Sequence, residues 1–296
     1  MSVHLFKVSI VQMKSLWFIF SFVWLTVFSV SAQVSVSVTL DQDQFLPSEA
    51  VQVSVHVTNR SGQTLHLGAD SNWLTFSVES ADGFIVLKNA DPPVQGEFDL
   101  GSSEVATKHV DLEPYFALAR SSHYSIVATV RIKEWDTEIS SPPKDFDVID
   151  GARLWSQVFG VPLPAGVTNR APEIRKYTLE EANYLRSQLQ LYVQVSDESE
   201  AYVLKVRPLC RMVSFGQPEA QVDHLSNLHV LSQSGGSVFT YSVINPNGDV
   251  LQQEIYDYVN THPRLNVDEN GDIVVVGGVR RAKAGEVPAV KSPDQM

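Results

Sequence analysis

The chain has 296 residues, of which 44% are hydrophobic and 19% are charged, and its formal net charge is −12. This length is sufficient for two domains of ordinary size. The acidic charge argues against a nucleic-acid-binding protein, which usually carries a basic stripe. The one basic cluster, residues 280–283 (RRAK), is interpreted as solvated. Cys210 is the only cysteine, so we predict no disulfide within the chain and a buried, unreactive thiol.

The first 32 residues have the pattern of a secretory signal peptide. Lys7 and Lys14 precede an uncharged apolar run, residues 16–30, and small residues follow up to Ala32. These charged, apolar and small-residue regions are typical of a cleaved export signal. An uncleaved anchor is the alternative, but a spanning helix needs about 20 apolar residues and this run is shorter. We predict translation from Met13, cleavage after Ala32, no membrane span in the product and a periplasmic or extracellular location.

Residues 33–150 have the pattern of an antiparallel β-sandwich. Apolar and polar residues alternate with a period of two, which predicts strands with one buried face. Turn residues separate these segments every ~8–12 residues, a spacing typical of sandwiches. The predicted strands are 34–40, 51–57, 65–67, 73–79, 84–87, 105–112, 123–132 and 145–149.

This segment resembles bacterial immunoglobulin-like domains. The stretch 34–67 (VSVSVTLDQDQFLPSEAVQVSVHVTNRSGQTLHL) has their opening order of strand, proline-containing turn, strand, polar turn and strand, and Tyr124 follows residues 118–122 (LARSS). In such domains a tyrosine often anchors the turn into a late strand, so the resemblance implies that role for Tyr124. It implies little about function, because this sandwich supports many functions.

Two further segments lack a strand pattern. Residues 151–172 contain three prolines, and we interpret them as an interdomain linker that packs through Trp155 and Phe159. Residues 282–296 are rich in alanine, lysine, proline, glycine and glutamate, and we predict a disordered tail.

Residues 173–281 are predicted to form a second antiparallel β domain, so the fold class is all-β. Asn245–Gly248 and Asn270-Gly271 are hairpin turns. Residues 176–184 fit a strand or a short helix, and the capping-box pattern at Thr178–Glu181 favours a helical turn. The predicted strands are 189–195, 201–206, 211–215, 228–232, 238–244, 250–258, 264–267 and 272–276.

The hairpins of residues 227–278 resemble the blades of a β-propeller. A blade takes about 40–45 residues, so this half of the chain holds only two or three. A propeller needs at least about four blades. The second domain is therefore a blade-like meander or a sandwich, and we favour the sandwich.

Motif searches predict no catalytic residue, no cofactor and no metal ion. The acidic residues at 268–272 (DENGD) suggest calcium, but the glycine and glutamate that an EF-hand loop requires are missing, and a hairpin turn is favoured. His224 and His229 are five residues apart, which fits neither strand nor helix spacing for zinc. Nucleophile elbows, zinc-helix motifs and phosphate-binding loops are absent from the sequence.

Trp73, Trp135 and Trp155 are the candidate binding residues. They lie near predicted strand ends or in the predicted linker. Exposed aromatic rings at such places stack on sugars or fill a partner's pocket. Core packing is the alternative for each, because large apolar side chains are usually buried.

The first hypothesis for function is a non-catalytic protein of the periplasm or cell exterior that binds another envelope or extracellular protein, or a glycan. A proteinase-inhibitor-like or carbohydrate-binding sandwich is the second, with residues 89–103 as the inhibitory loop. An enzyme with a site between the domains, near Trp155, is the third, although the missing motifs weigh against it. No nucleic-acid partner is expected, and the sequence predicts no oligomeric state.

Overall fold

The computed structural model describes residues 34–163, 171–185 and 187–282, and these residues have an all-β fold. The predicted export signal, the start at Met13 and nearly all of the predicted tail lie outside the described residues. Helical structure in the described part is confined to two short 3-10 turns, Glu113–Tyr115 and Lys133–Trp135. None of the described residues belongs to a helix with the length and hydropathy needed to cross a membrane.

The first module, residues 34–150, contains two mainly antiparallel sheets that pack face to face. One sheet has the order β1-β3-β7, and the other has the order β2-β10-β8-β5, with β9 also paired to β8. Strands β4 and β6 form a separate pair, and β2 runs parallel to β10. The strands are β1 (Val34–Leu40), β2 (Gln44–Phe45), β3 (Gln52–Asn59), β4 (Leu65–Leu67), β5 (Leu74–Ser80), β6 (Phe98–Leu100), β7 (Val105–Asp111), β8 (Ser122–Ile132), β9 (Thr137–Ser140) and β10 (Lys144–Val148).

One apolar core lies between these two sheets. Val34, Val36 and Val38 of β1 are buried, while the serines between them are exposed. Tyr124 and Ile126 of β8 are fully buried in the same cluster. Because successive side chains of a strand point to opposite faces, the period-two pattern decides which residues enter the core. The first module is therefore a β-sandwich, as its sequence pattern predicts.

The second module follows directly and contains two consecutive meanders. Strands β11-β12-β13-β14 form one sheet, β15-β16-β17-β18-β21 form another, and β19 pairs with β20 as a hairpin. The strands are β11 (Ala152–Gly160), β12 (Ile174–Leu185), β13 (Gln188–Asp197), β14 (Val203–Arg211), β15 (Glu219–Val222), β16 (Leu228–Gln233), β17 (Val238–Ile244), β18 (Val250–Asp257), β19 (Arg264–Val267), β20 (Ile273–Val276) and β21 (Val279–Arg280).

The two meanders pack on each other as a sandwich. Tyr177 and Leu191 of the first sheet and Leu228 and Ile244 of the second belong to one buried cluster. The β19–β20 hairpin covers the outer face of the second sheet, where Ile273 and its neighbours form a smaller cluster. This outer face carries one of the two pockets described below.

Several local predictions are wrong. Residues 176–184 lie in strand β12 instead of a helical turn, because pairing on both sides with β11 and β13 outweighs the capping-box pattern. Residues 152–160, within the predicted linker, form the edge strand β11. The prolines that suggested a linker follow this strand, and residues 164–170 lie outside the described part. Residues 84–87 form no strand, and 211–215 lie almost wholly outside β14.

The two modules contact each other through the outer face of the β11–β14 sheet. Leu46 of the first module packs with Ala182, Tyr192 and Val206 of the second. The backbone N–H of Asp43 donates to the carbonyl oxygen of Tyr184 at 3.1 Å. A cleft opens beside this contact, and its two walls come from different modules.

Candidate functional site

The intermodule cleft has a volume of about 580 Å³. Residues 41–52 and 111–113 of the first module form one wall, and residues 204–208 of β14 form the other. Glu49 pairs with Val206 across the base of the cleft as an isolated parallel bridge. Pockets between domains that contain titratable groups with shifted pKa values are the default candidates for a functional site.

Glu49 is the most buried charged side chain of the cleft, with 3% of its surface exposed. Its Oε2 accepts a hydrogen bond from the backbone N–H of Leu46, and its Oε1 accepts one from Nε2 of Gln42, both at 2.8 Å. Burial raises the pKa of Glu49 to about 7, because two hydrogen bonds do not replace the lost hydration of a carboxylate. The group therefore changes its charge near neutral pH.

The backbone around Glu49 holds its side chain in the cleft. Its N–H donates back to the carbonyl oxygen of Leu46 at 3.1 Å, which closes a tight turn. Ser48 within this turn has a φ of 61°, in the left-handed region that non-glycine residues seldom adopt. The turn and the two donors to Glu49 thus fix the carboxyl group where the second module covers it.

Two more acids of the first-module wall have raised pKa values. Burial raises the pKa of Asp111, although the backbone N–H of Glu113 donates to its Oδ1 at 3.1 Å. The pKa of Glu113 is raised by burial and by the charge of Asp111. This pair makes one wall of the cleft acidic.

The opposite wall presents cations that already have a partner. Nζ of Lys205 lies 2.6 Å from Oδ1 of Asp249, and Nη2 of Arg207 lies 4.0 Å from the same oxygen. The residues that line the cleft include neither histidine nor cysteine, and the hydroxyl of Ser48 contacts no base. The arrangement can bind polar groups and exchange a proton, but it contains no paired nucleophile and base.

The three candidate tryptophans do not form one surface. Trp73 is buried at 3% exposure, and its Nε1–H donates to the carbonyl oxygen of Val94 at 2.8 Å. Trp135 ends a 3-10 turn and packs, partly buried, against the core of the first module. Trp155 lies on β11 and packs, also partly buried, against the core of the second module. Each ring therefore contributes to a hydrophobic core, and none of them lines the cleft.

Other sequence candidates also have structural roles. Asp268 accepts backbone hydrogen bonds from Asn270 and Asp272, each at 2.9 Å, so the acidic run forms the β19–β20 turn, and the hairpin prediction is confirmed. His224 is exposed, whereas His229 is buried. No three metal-ligating side chains come together among the residues that the structure describes.

The cysteine and the predicted inhibitory loop are held by packing. Burial raises the pKa of the Cys210 thiol to about 11, which disfavours the thiolate that nucleophilic chemistry requires. Pro92 and Val94 within residues 89–103 are buried, and Phe98–Leu100 pair with β4. The loop is therefore attached to the core at several points instead of standing free.

Sequence reasoning missed the residues that build the cleft. Glu49, Asp111 and Glu113 occur in turns or at strand ends without any spacing motif. Their burial arises because a distant part of the chain, or a turn on the same module, covers them. The run Pro47-Ser48 indicated a turn, but not that the next residue would be a buried acid.

Comparisons with known proteins show no family. No family model matches the chain, and no curated protein matches it. Among solved structures, the chain is similar to the crystal structure of Spo0M, a sporulation control protein from Bacillus subtilis, at 14% sequence identity over 58% of this chain and 83% of that chain. The TM-score of this similarity is 0.29. A score of this size does not define a shared fold.

Proposed function

We propose that this chain is a non-catalytic, exported binding protein that takes a partner protein into the cleft between its two β modules. The cleft itself carries the proposal, because its walls combine charged groups with apolar surface and are supplied by both modules. It holds carboxyl groups of shifted pKa but no paired nucleophile and base. Such a site suits recognition better than turnover.

A protein partner fits the cleft better than a glycan. Sugar sites usually offer exposed aromatic rings for stacking, and the one aromatic residue that lines the cleft, Phe45, is buried. The acidic wall at Asp111 and Glu113 complements basic groups on a partner surface. Export rests on the sequence pattern of residues 1–32 and places the encounter in the periplasm or outside the cell.

The immunoglobulin-like character of the first module belongs to the same proposal. The hydroxyl of Tyr124 donates to the carbonyl oxygen of Arg120, four residues upstream, at 2.7 Å. A tyrosine that bonds back to the backbone before a late strand is typical of immunoglobulin-like sandwiches. This contact supports the family resemblance of the first module.

A pull-down from envelope extract tests the function. The wild-type protein and Glu79→Gln, an exposed change on β5 away from the cleft, should recover the same partner. The double variant Asp111→Asn with Glu113→Gln keeps side-chain size but removes the acidic wall, and it should lose most of that partner.

Two results would contradict the proposal. The extract could contain no specific partner for the wild-type protein, or the double variant could recover the partner as well as Glu79→Gln does. Circular dichroism of all three proteins checks that the double variant is folded before its binding is compared.

A further inference from the structure

A second pocket, of about 410 Å³, lies on the outer face of the β15–β18 sheet, away from the cleft. His229 of β16, Tyr241 of β17 and Glu254 and Tyr256 of β18 form its floor, and Asp223 lies beside them. The register pairs Tyr241 directly with Glu254. The β20 residues 273–275 form an apolar wall over this floor.

A chain of hydrogen bonds crosses the floor of the pocket. Nε2 of His229 lies 3.2 Å from Oδ2 of Asp223, and Nδ1 of His229 lies 2.6 Å from the hydroxyl of Tyr241. Burial acts to raise the pKa of Asp223, but hydrogen bonds from Asn227 and His229 hold it below its usual value. Asp223 is therefore an ionised acceptor. In the neutral imidazole, Nε2–H donates to it, and Nδ1 accepts from Tyr241.

Glu254 accepts two further hydrogen bonds at the floor of the pocket. Tyr256 donates its O–H to Oε2 of Glu254 at 3.0 Å, and Nη1 of Arg280 donates to Oε1 at 3.2 Å. The pKa of Tyr256 is raised to about 12 by burial and by Glu254, and that of Tyr241 to about 12 by burial and by nearby acids. Both phenols therefore keep their protons at neutral pH.

The pocket therefore has free hydrogen-bond acceptors and almost no free hydrogen-bond donors. The ring N–H of His229 and the hydroxyl protons of Tyr241 and Tyr256 all point to partners within the floor. The acceptors that remain free are lone pairs on the phenol oxygens of Tyr241 and Tyr256 and on the carboxylate of Glu254. The exposed carboxylate of Asp272 at the rim adds to them. The lining contains neither lysine nor arginine, and the amide of Gln252 is its one side chain that can still donate.

We propose that this pocket binds a guanidinium or primary ammonium group, carried by a small organic cation or by a basic side chain of a protein. Such groups have hydrogen-bond donors and no acceptor, so they complement a pocket floor whose free groups are acceptors. The aromatic rings of Tyr241 and Tyr256 line the pocket, and aromatic rings attract cations. The apolar wall at residues 273–275 matches the methylene stem that carries the charge.

Other ligand classes fit the floor less well. An anion would meet three carboxylates, at Asp223, Glu254 and Asp272, without a cation in the lining. A neutral sugar needs donors as well as acceptors from its site. A metal ion would need several ligating groups close together, but the residues that the structure describes contain no cluster of three metal-ligating side chains. Both oxygens of Asp223 also accept two hydrogen bonds each already, Oδ1 from the backbone N–H groups of Leu225 and Asn227 and Oδ2 from the side chains of Asn227 and His229.

An NMR titration of the ¹⁵N-labelled protein with N-acetyl-arginine amide tests the proposal. Amide signals of residues 223–256 around the pocket should shift, with a dissociation constant of about 1 mM or tighter. N-acetyl-citrulline amide replaces the guanidinium by a neutral urea of the same shape, and it should bind at least about tenfold more weakly. Equal binding of the two compounds overturns the proposal.

A pair of variants locates the site. Glu254→Gln removes the central charge of the floor and should weaken arginine-amide binding at least about fivefold. Glu269→Gln changes an exposed acid in the nearby β19–β20 turn and should leave binding unchanged. Unaltered binding by Glu254→Gln, or shifts confined to the cleft, would show that the pocket is not the site. Both variants leave the cleft intact, so this test is independent of the proposed function.

Agmatine distinguishes the two sources of the cation. Agmatine that binds as tightly as an arginine-containing tripeptide assigns the pocket to small organic cations. A tripeptide that binds at least about tenfold more tightly assigns it to a basic side chain of a partner protein. Absence of pocket shifts with both compounds contradicts the proposal.

Discussion

Glu49 should make the stability of the protein depend on pH in a window that ordinary glutamates do not affect. The folded protein holds this carboxyl group at 3% exposure with a pKa of about 7, against 4.5 for a solvated glutamate. Between these pH values the folded state binds a proton that the unfolded state has already released. The contribution to stability is thus fully present below about pH 4.5 and is lost as the pH rises through about 7.

The size of the effect follows from the two pKa values. Each pKa unit corresponds to about 1.4 kcal/mol, so the difference between 4.5 and about 7 is worth about 3 kcal/mol. Glu49→Gln keeps the shape of the side chain and removes the charge. Its amide oxygen can still accept from the N–H of Leu46, and rotation of the Gln42 amide can supply an acceptor for the new NH₂ group.

Urea denaturation between pH 5 and pH 8 measures this effect. The free energy of unfolding of the wild-type protein should fall by about 2.5 kcal/mol relative to that of Glu49→Gln across this interval. Glu79→Gln, at an exposed position, should follow the wild type. Parallel profiles of the wild type and Glu49→Gln would refute the reasoning, because both proteins share every other titrating group.

Two further substitutions test the first module. Tyr124→Phe removes the hydrogen bond to the carbonyl oxygen of Arg120 and should lower the free energy of unfolding by about 1 kcal/mol; an unchanged urea midpoint contradicts the anchoring role. Gly68→Ala would place a Cβ 2.1 Å from the carbonyl oxygen of Gly96 at a φ of +86°, whereas Gly83→Ala, at a φ of +76°, meets nothing within 4 Å. The first glycine change should cost about 2 kcal/mol more than the second in the same assay, and equal costs would rule out the close approach.

Local patterns alone predicted most of the strands. The alternation at residues 34–40 predicts β1, because a strand with one buried face requires apolar residues at every second position. Asn270-Gly271 predicts the β19–β20 turn, since Gly271 adopts a φ of +86° that other residues resist. These features depend on neighbours along the chain, so the sequence contains the information needed to predict them.

Pairing between distant segments decided the elements that were mispredicted. Residues 152–160 and 174–185 carry mixed patterns, and they become strands because each finds a partner in the β11–β14 sheet. Residues 84–87 have strand propensity but no ladder, and Ile85 is 93% exposed. The β propensity of a segment is therefore a weaker determinant than the presence or absence of a neighbouring strand that it can pair with.

The acidic composition, the all-β pattern and the export signal pattern can be read from the sequence by itself. The two pockets could not be predicted in this way. Glu49 is an ordinary glutamate until β14 covers it, and burial is what brings its pKa near neutrality. His229 looked like half of a poorly spaced metal pair until the fold set it beside Asp223 and Tyr241. Charge, hydrogen-bond supply and burial at a site depend on residues far apart in the chain, so only the tertiary structure decides them.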